Sequence, residues 1–345
     1  MCAARIGRMS DVFGEGFGSW SYDEVMRHEG SDLDVRVVVA EIPQDVKDEL
    51  RYDQIPWGRF SHAGGPAVNV PEDLERITSP DEETAGRALK RLWDGVLHQG
   101  DTYPPAALAA PFLLRLALPS AAHYRADILE LVGGAARREH YRDGTRTGLL
   151  QVDDDRLRIL SSGYLERWAI RAVRIAVTAD VSLLLELLND ADARVRSGAC
   201  YVLATALDGT ELISLALRRR LDVEDVPAAR MSLILALAQL AREHHDGTTA
   251  ELLRQWWSAP DRPVDWRVSA AIAWLCLVDD PVPEDLRTLL TTQITDELAE
   301  QLGGVPWMEG VDWDGGGLRR CVYLMLNPEV VWWAVHGDPW AEPSK

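Results

Sequence analysis

Lysine is almost missing from this chain: Lys47, Lys90 and Lys345 are the only three among 36 basic residues. Basic charge as a whole is short, since 55 acidic residues bring the formal net charge to −19. Such a surface repels phosphate backbones, because nucleic-acid binders need basic patches that release counterions. It attracts basic partners instead and speeds the encounter with them. Nucleic acid is therefore disfavoured as a partner, and a basic protein or a cation-bearing ligand is expected.

Cysteine is equally scarce. Cys2, Cys200, Cys276 and Cys321 are far apart and show no CxxC spacing. They fit small apolar residues in a reducing compartment better than a disulfide frame or a zinc site. Long apolar runs are missing too: AALAAPFLLRLAL at 106–118 is broken by Arg115 and is too short to span a bilayer. The opening MCAARIGRMSDVFGEGFG lacks the apolar core of a signal peptide. The expected location is cytoplasmic.

Catalytic signatures are absent as well. There is no HExxH, no GxSxG and no P-loop, and FGEGFG at 13–18 lacks the strand and helix that a dinucleotide fingerprint needs. The histidines are scattered, and the adjacent His244 and His245 would point in different directions from a helix end. Neither a metal site nor a cofactor is expected.

What the chain does have is helical periodicity, from about residue 70 onward. In DVSLLLELLNDADARVRSGACYVLATALDG at 180–209, Leu184, Leu185, Leu187 and Leu188 form one apolar stripe. The turn Asn189-Asp190-Ala191-Asp192 then breaks the helix and offers a cap to the next, which carries Val195, Ala199, Val202 and Leu203. The same grammar recurs at 209–241 and 247–277, and each second helix has an arginine near its start: Arg196, Arg230 and Arg267. The steps between them are 34 and 37 residues, a period typical of helical solenoids, where each hairpin needs its neighbour to bury its apolar face. Less regular copies lie at 79–100, 103–136 and 166–177, with a polar insertion at 137–165. DVRVVVAEI at 34–42 reads as a strand or a buried helix turn.

Three stretches resemble the bacterial HEAT-like repeat proteins common in actinobacteria. IPWGRFSHAGGPAVNVPEDLERITSPD at 55–81 is similar to that family's opening segment through Trp57, His62 and Pro71. LHQGDTYPPAALAAPFLLRLAL at 97–118 is similar through His98, Gln99, Gly100, Tyr103, Ala110 and Pro111-Phe112-Leu113. LLELLNDADARVRSGA is similar to the general HEAT consensus through Val195-Arg196. The resemblance implies an all-α fold, a right-handed HEAT-like α-solenoid of about five to seven stacked hairpins. Its expected parts are an N-terminal cap over 1–55, the repeats over 56–300 and a Trp-rich C-terminal cap over 301–345. HEAT-fold iron hydroxylases hold metal with several His-Glu pairs, whereas this chain has one, His28-Glu29.

Each residue of HQGDTYPP has a structural job: Gly100 suits a left-handed turn, Asp101 or Thr102 can cap the next helix, and Pro104 suits its first turn. Tryptophan is the less ordinary feature, because nine of thirteen fall after residue 250 and carboxylates are interleaved with them. Aromatic faces beside acids suit a cationic group. The candidate binding residues are Trp256, Trp257, Asp265, Trp266, Trp313, Trp332 and Trp333, and no catalytic residue is assigned. The same cluster carries the alternative of a HEAT-fold DNA glycosylase acting on a cationic base, which would need a basic stripe from Arg218, Arg219, Arg220, Arg230 and Arg254. The expected function is a non-catalytic binding scaffold, of immunity or antitoxin type in its most concrete form.

Overall fold

The computed structural model describes residues 22–138, 144–152, 157–309, 311 and 317–329. Among them the protein is all-α apart from two short hairpins. The chain opens with α1 (Tyr22–Met26), α2 (Val35–Ala40) and α3 (Gln44–Asp48). The valine-rich run at 34–42 is thus helical. Asp34 caps α2 by accepting from the Arg36 N–H, and the helix packs on α8, described below.

Strands β1 (Ser61–His62) and β2 (Gly65–Pro66) lead into α4 (Val70–Ile77) and α5 (Glu82–Val96). The HQGDTYPP block then differs from the expected helix cap. Strands β3 (Leu97–His98) and β4 (Asp101–Thr102) pair as a two-residue hairpin. Gln99 and Gly100 both take positive φ, 50° and 84°, the pattern of a type I′ turn. Neither Asp101 nor Thr102 caps α6 (Pro104–Leu116): its N-cap is Tyr103, which makes no side-chain capping bond. The Thr102 N–H donates instead to Glu166 Oε1 at 3.2 Å.

Helix α6 is buried at every position and packs on α8 (Glu166–Ala179) and α7 (Arg125–Ala135). Burial on all faces explains a helix that is apolar all round. The next helices come in pairs: α9 (Val181–Leu187) with α10 (Ala193–Leu203), α11 (Thr210–Leu221) with α12 (Pro227–Glu243), and α13 (Thr248–Ser258) with α14 (Val264–Leu275). The second members form a row, α7 on α10, α10 on α12 and α12 on α14. At the first of these junctions the backbones come close. A Cβ on Gly133 would lie 2.3 Å from Tyr201 Cδ1, and one on Gly198 would lie 2.9 Å from Leu129 Cβ.

The chain then adds α15 (Glu284–Thr292), α16 (Asp296–Gly303), α17 (Pro306–Glu309) and α18 (Gly317–Leu326). These turn back on the row, with α16 against α12, α17 against α10 and α18 against α14. Trp307 is fully buried at that contact. It donates to Gln239 Oε1 at 2.8 Å and meets Tyr201 edge-on at 4.9 Å. Arg137 stacks on the other ring, 3.5 Å from the Tyr201 centroid. No helix among the described residues is long and apolar enough to cross a membrane.

Candidate functional site

Two of the three regularly spaced arginines, Arg196 and Arg230, share one job. Arg196 donates to the carbonyls of Asp190 and Ala191 in the turn before its own helix, at 2.8 and 3.1 Å. It then reaches the next turn and grips Glu224 with two bonds of 2.7 Å. Arg230 repeats this one unit on, donating to the Glu224 carbonyl at 2.7 Å and pairing with Asp265. Arg125 occupies the equivalent place on α7 and pairs with Asp190. Arg267 bonds the Trp257 carbonyl at 3.2 Å. This ladder aligns the starts of α7, α10, α12 and α14 along one edge.

Glu224 is the most constrained acid on that edge. Burial alone would push its carboxyl up. Hydrogen bonds from Arg196, the Val226 N–H and Arg220 outweigh that and hold it at about 2. Asp190 is held low chiefly by its bond from Arg125, against a smaller opposing effect of burial.

Outside the ladder the same turns carry acids that it does not reach: Asp192, Asp222, Asp225 and Asp261 are all exposed. None of them forms an ion pair among the described residues. Asp192 caps the start of α10, and Asp225 and Asp261 lie two and three residues before α12 and α14, where negative charge complements the positive end of the helix dipole; Asp222 instead closes α11. At one end of this edge lies a cleft of about 410 Å³ lined by Glu82, Tyr124, Asp127, Asp190, Asp192 and Arg194. Arg125 and Arg194 neutralise Asp190 and Asp127 there, which leaves Glu82 and Asp192 uncompensated. The sequence signal for these acids is the Asp in each inter-helix turn, a residue that helix capping also accounts for.

The Trp/Asp candidates do meet. Trp256 and Trp257 end α13, and Asp265 and Trp266 begin α14. Trp256 and Trp266 stand edge to face with centroids 5.6 Å apart, and Trp257 leans on Trp274 at 5.9 Å. Trp256 and Trp257 are buried, and Trp266 is half-buried. The cation these rings favour is already present, because Arg262 lies 4.4 Å from the Trp266 centroid and 5.7 Å from that of Trp256. Arg230 stands 5.6 Å from Trp266 on its way to Asp265. A cationic base would have to displace Arg262 and compete with Arg230 for the only carboxylate of the set. Of the remaining candidates, Trp313, Trp332 and Trp333 lie outside the described residues.

No cluster of three or more metal-capable side chains occurs among the described residues. Comparison with known proteins returns no matching family, no similar curated protein and no similar solved structure.

Proposed function

We propose that this chain is a non-catalytic binding protein built as a right-handed HEAT-like solenoid, and that it holds a basic protein partner on its turn edge. The observation that carries this reading is the set of exposed, unpaired carboxylates Asp192, Asp222, Asp225 and Asp261, held in register by the arginine ladder beneath them. The partner's arginines and lysines replace the counterions that these acids otherwise keep. An immunity or antitoxin role is the most concrete form, since an acidic inhibitor can mimic the charge of a basic nuclease's substrate. A cytoplasmic location and the absence of a bound cofactor belong to the same reading. The alternative enzyme acting through Trp256, Asp265 and Trp266 has less support, because Arg230 neutralises Asp265 and Arg262 covers the rings.

The test is fluorescence anisotropy with a labelled arginine-rich peptide. Saturable binding at low salt that weakens steeply toward about 0.5 M salt, where the Debye length falls to only a few Å, is the expected result. An absence of binding at low salt overturns the proposal.

A further inference from the structure

Helix α11 buries Ile213, Leu217 and Leu221 and packs on α12, which accounts for its inner face. Its outer face has no such account. Leu212 and Leu215 are three residues apart, so they lie side by side on the helix, and they are 57% and 47% exposed. Leucines scattered singly over a surface are ordinary, but these two are adjacent. Ala216 beside them is half-buried and small, which lets a second helix come close. The helices that open the neighbouring pairs show nothing similar, because every exposed position on α9 and on α13 is polar. The exposed leucines are therefore not a requirement of the helical pair.

Charge around these leucines is ordered along the helix. Exposed Asp208 and Glu211 stand at its start, and exposed Arg218 and Arg219 at its end. None of the four forms an ion pair among the described residues, and Arg218 acts on Asp246 only through space. Glu211 and Arg218 are two turns apart, about 10 Å along the axis, with the leucines between them. A parallel copy of this helix would set like charges together. An antiparallel copy sets acid on base at both ends and centres the leucines on each other. A two-fold interface is self-complementary in this sense, since every pair of residues across it occurs twice.

We propose that the outer face of α11 is the two-fold interface of a homodimer. Leu212 of each copy packs on Leu215 of the other, and Glu211 of each copy pairs with Arg218 of the other. Net charge opposes association, because each chain carries −19. Salt at about 0.15 M screens that repulsion beyond about 8 Å and largely spares charges in contact. One pair of helices is at the small end of specific interfaces, so a dissociation constant of about 1–100 μM is expected. None of these residues belongs to the acids of the turn edge, so the two proposals stand or fall separately.

Sedimentation velocity on the full chain, at about 0.15 M salt and over about 1–200 μM protein, tests this. The sedimentation coefficient should rise with concentration from that of a monomer to that of a dimer. Leu215→Glu, at an exposed position, should weaken association by at least about tenfold and leave the melting temperature of the dilute monomer unchanged. Glu211→Arg and Arg218→Glu should each weaken association by about the same factor. An equimolar mixture of those two proteins should recover the dimer, because each supplies the charges that the other lacks. A monomer across the whole range overturns the proposal. So does a dimer that Leu215→Glu leaves intact, or a mixture no more associated than its two components.

Discussion

Glu224 accepts from Arg196, from Arg220 and from a backbone N–H while its side chain is closed off from solvent. Its removal leaves two guanidiniums without a counterion in a desolvated place. Glu224→Gln should therefore destabilise the protein by about 3–5 kcal/mol, as read from the midpoint of urea unfolding. The pH dependence has a fixed sign. The folded carboxyl sits at about 2 and the ordinary value is 4.5, so the contribution is complete above 4.5 and is lost as pH falls toward 2. In the Glu224→Gln protein that part of the acid loss should vanish. Arg137 makes a contrasting case. It is buried and forms no ion pair among the described residues, and it is held by the Gly133 and Tyr201 carbonyls, Gln239 and the face of Tyr201. The ladder arginines were visible in the sequence through their spacing. The role of Arg137 was not, because it depends on an aromatic ring that a later part of the chain brings into place.

At the scale of the helix, glycine matters most where α7 meets α10. Gly133 and Gly198 each face a side chain of the other helix at less than van der Waals distance from a Cβ. Gly198→Ala should cost about 1–3 kcal/mol by overpacking, measured by the same unfolding midpoint, despite alanine's better helix propensity. Trp307 belongs to this scale too, because it fastens the returning C-terminal helices to α10 and α12. Trp307→Ala should cost about 3–5 kcal/mol. The pair α9 and α10 was legible because an apolar stripe, an Asp turn and a second stripe are local signals. The 34–42 run was ambiguous because three consecutive valines fit either a strand or a helix. Packing on α8, far away in sequence, decides the matter. The Leu97–Thr102 hairpin is not legible in the sequence because its turn uses Gln99 rather than the usual Asn or Asp before glycine.

Across the whole molecule, exposed acids line one edge, in the turns between paired helices, beside ladder arginines that are already committed to Asp190, Glu224 and Asp265. Net charge alone pointed to a basic partner but could not locate it, since −19 is spread over the whole chain. The Trp/Asp cluster looked like the better site in sequence because Arg262 and Arg230 are not recognisable there as its occupants. The central claim is that the turn acids bind a basic partner by position rather than by overall charge. Peptide anisotropy on two charge-matched variants tests it most directly. One replaces Asp192, Asp222, Asp225 and Asp261 with lysine, and the other replaces the exposed Glu41, Asp53, Glu297 and Glu300. The account predicts that the first loses at least about tenfold in affinity for the arginine-rich peptide while the second stays near the parent. Equal loss in both would contradict it.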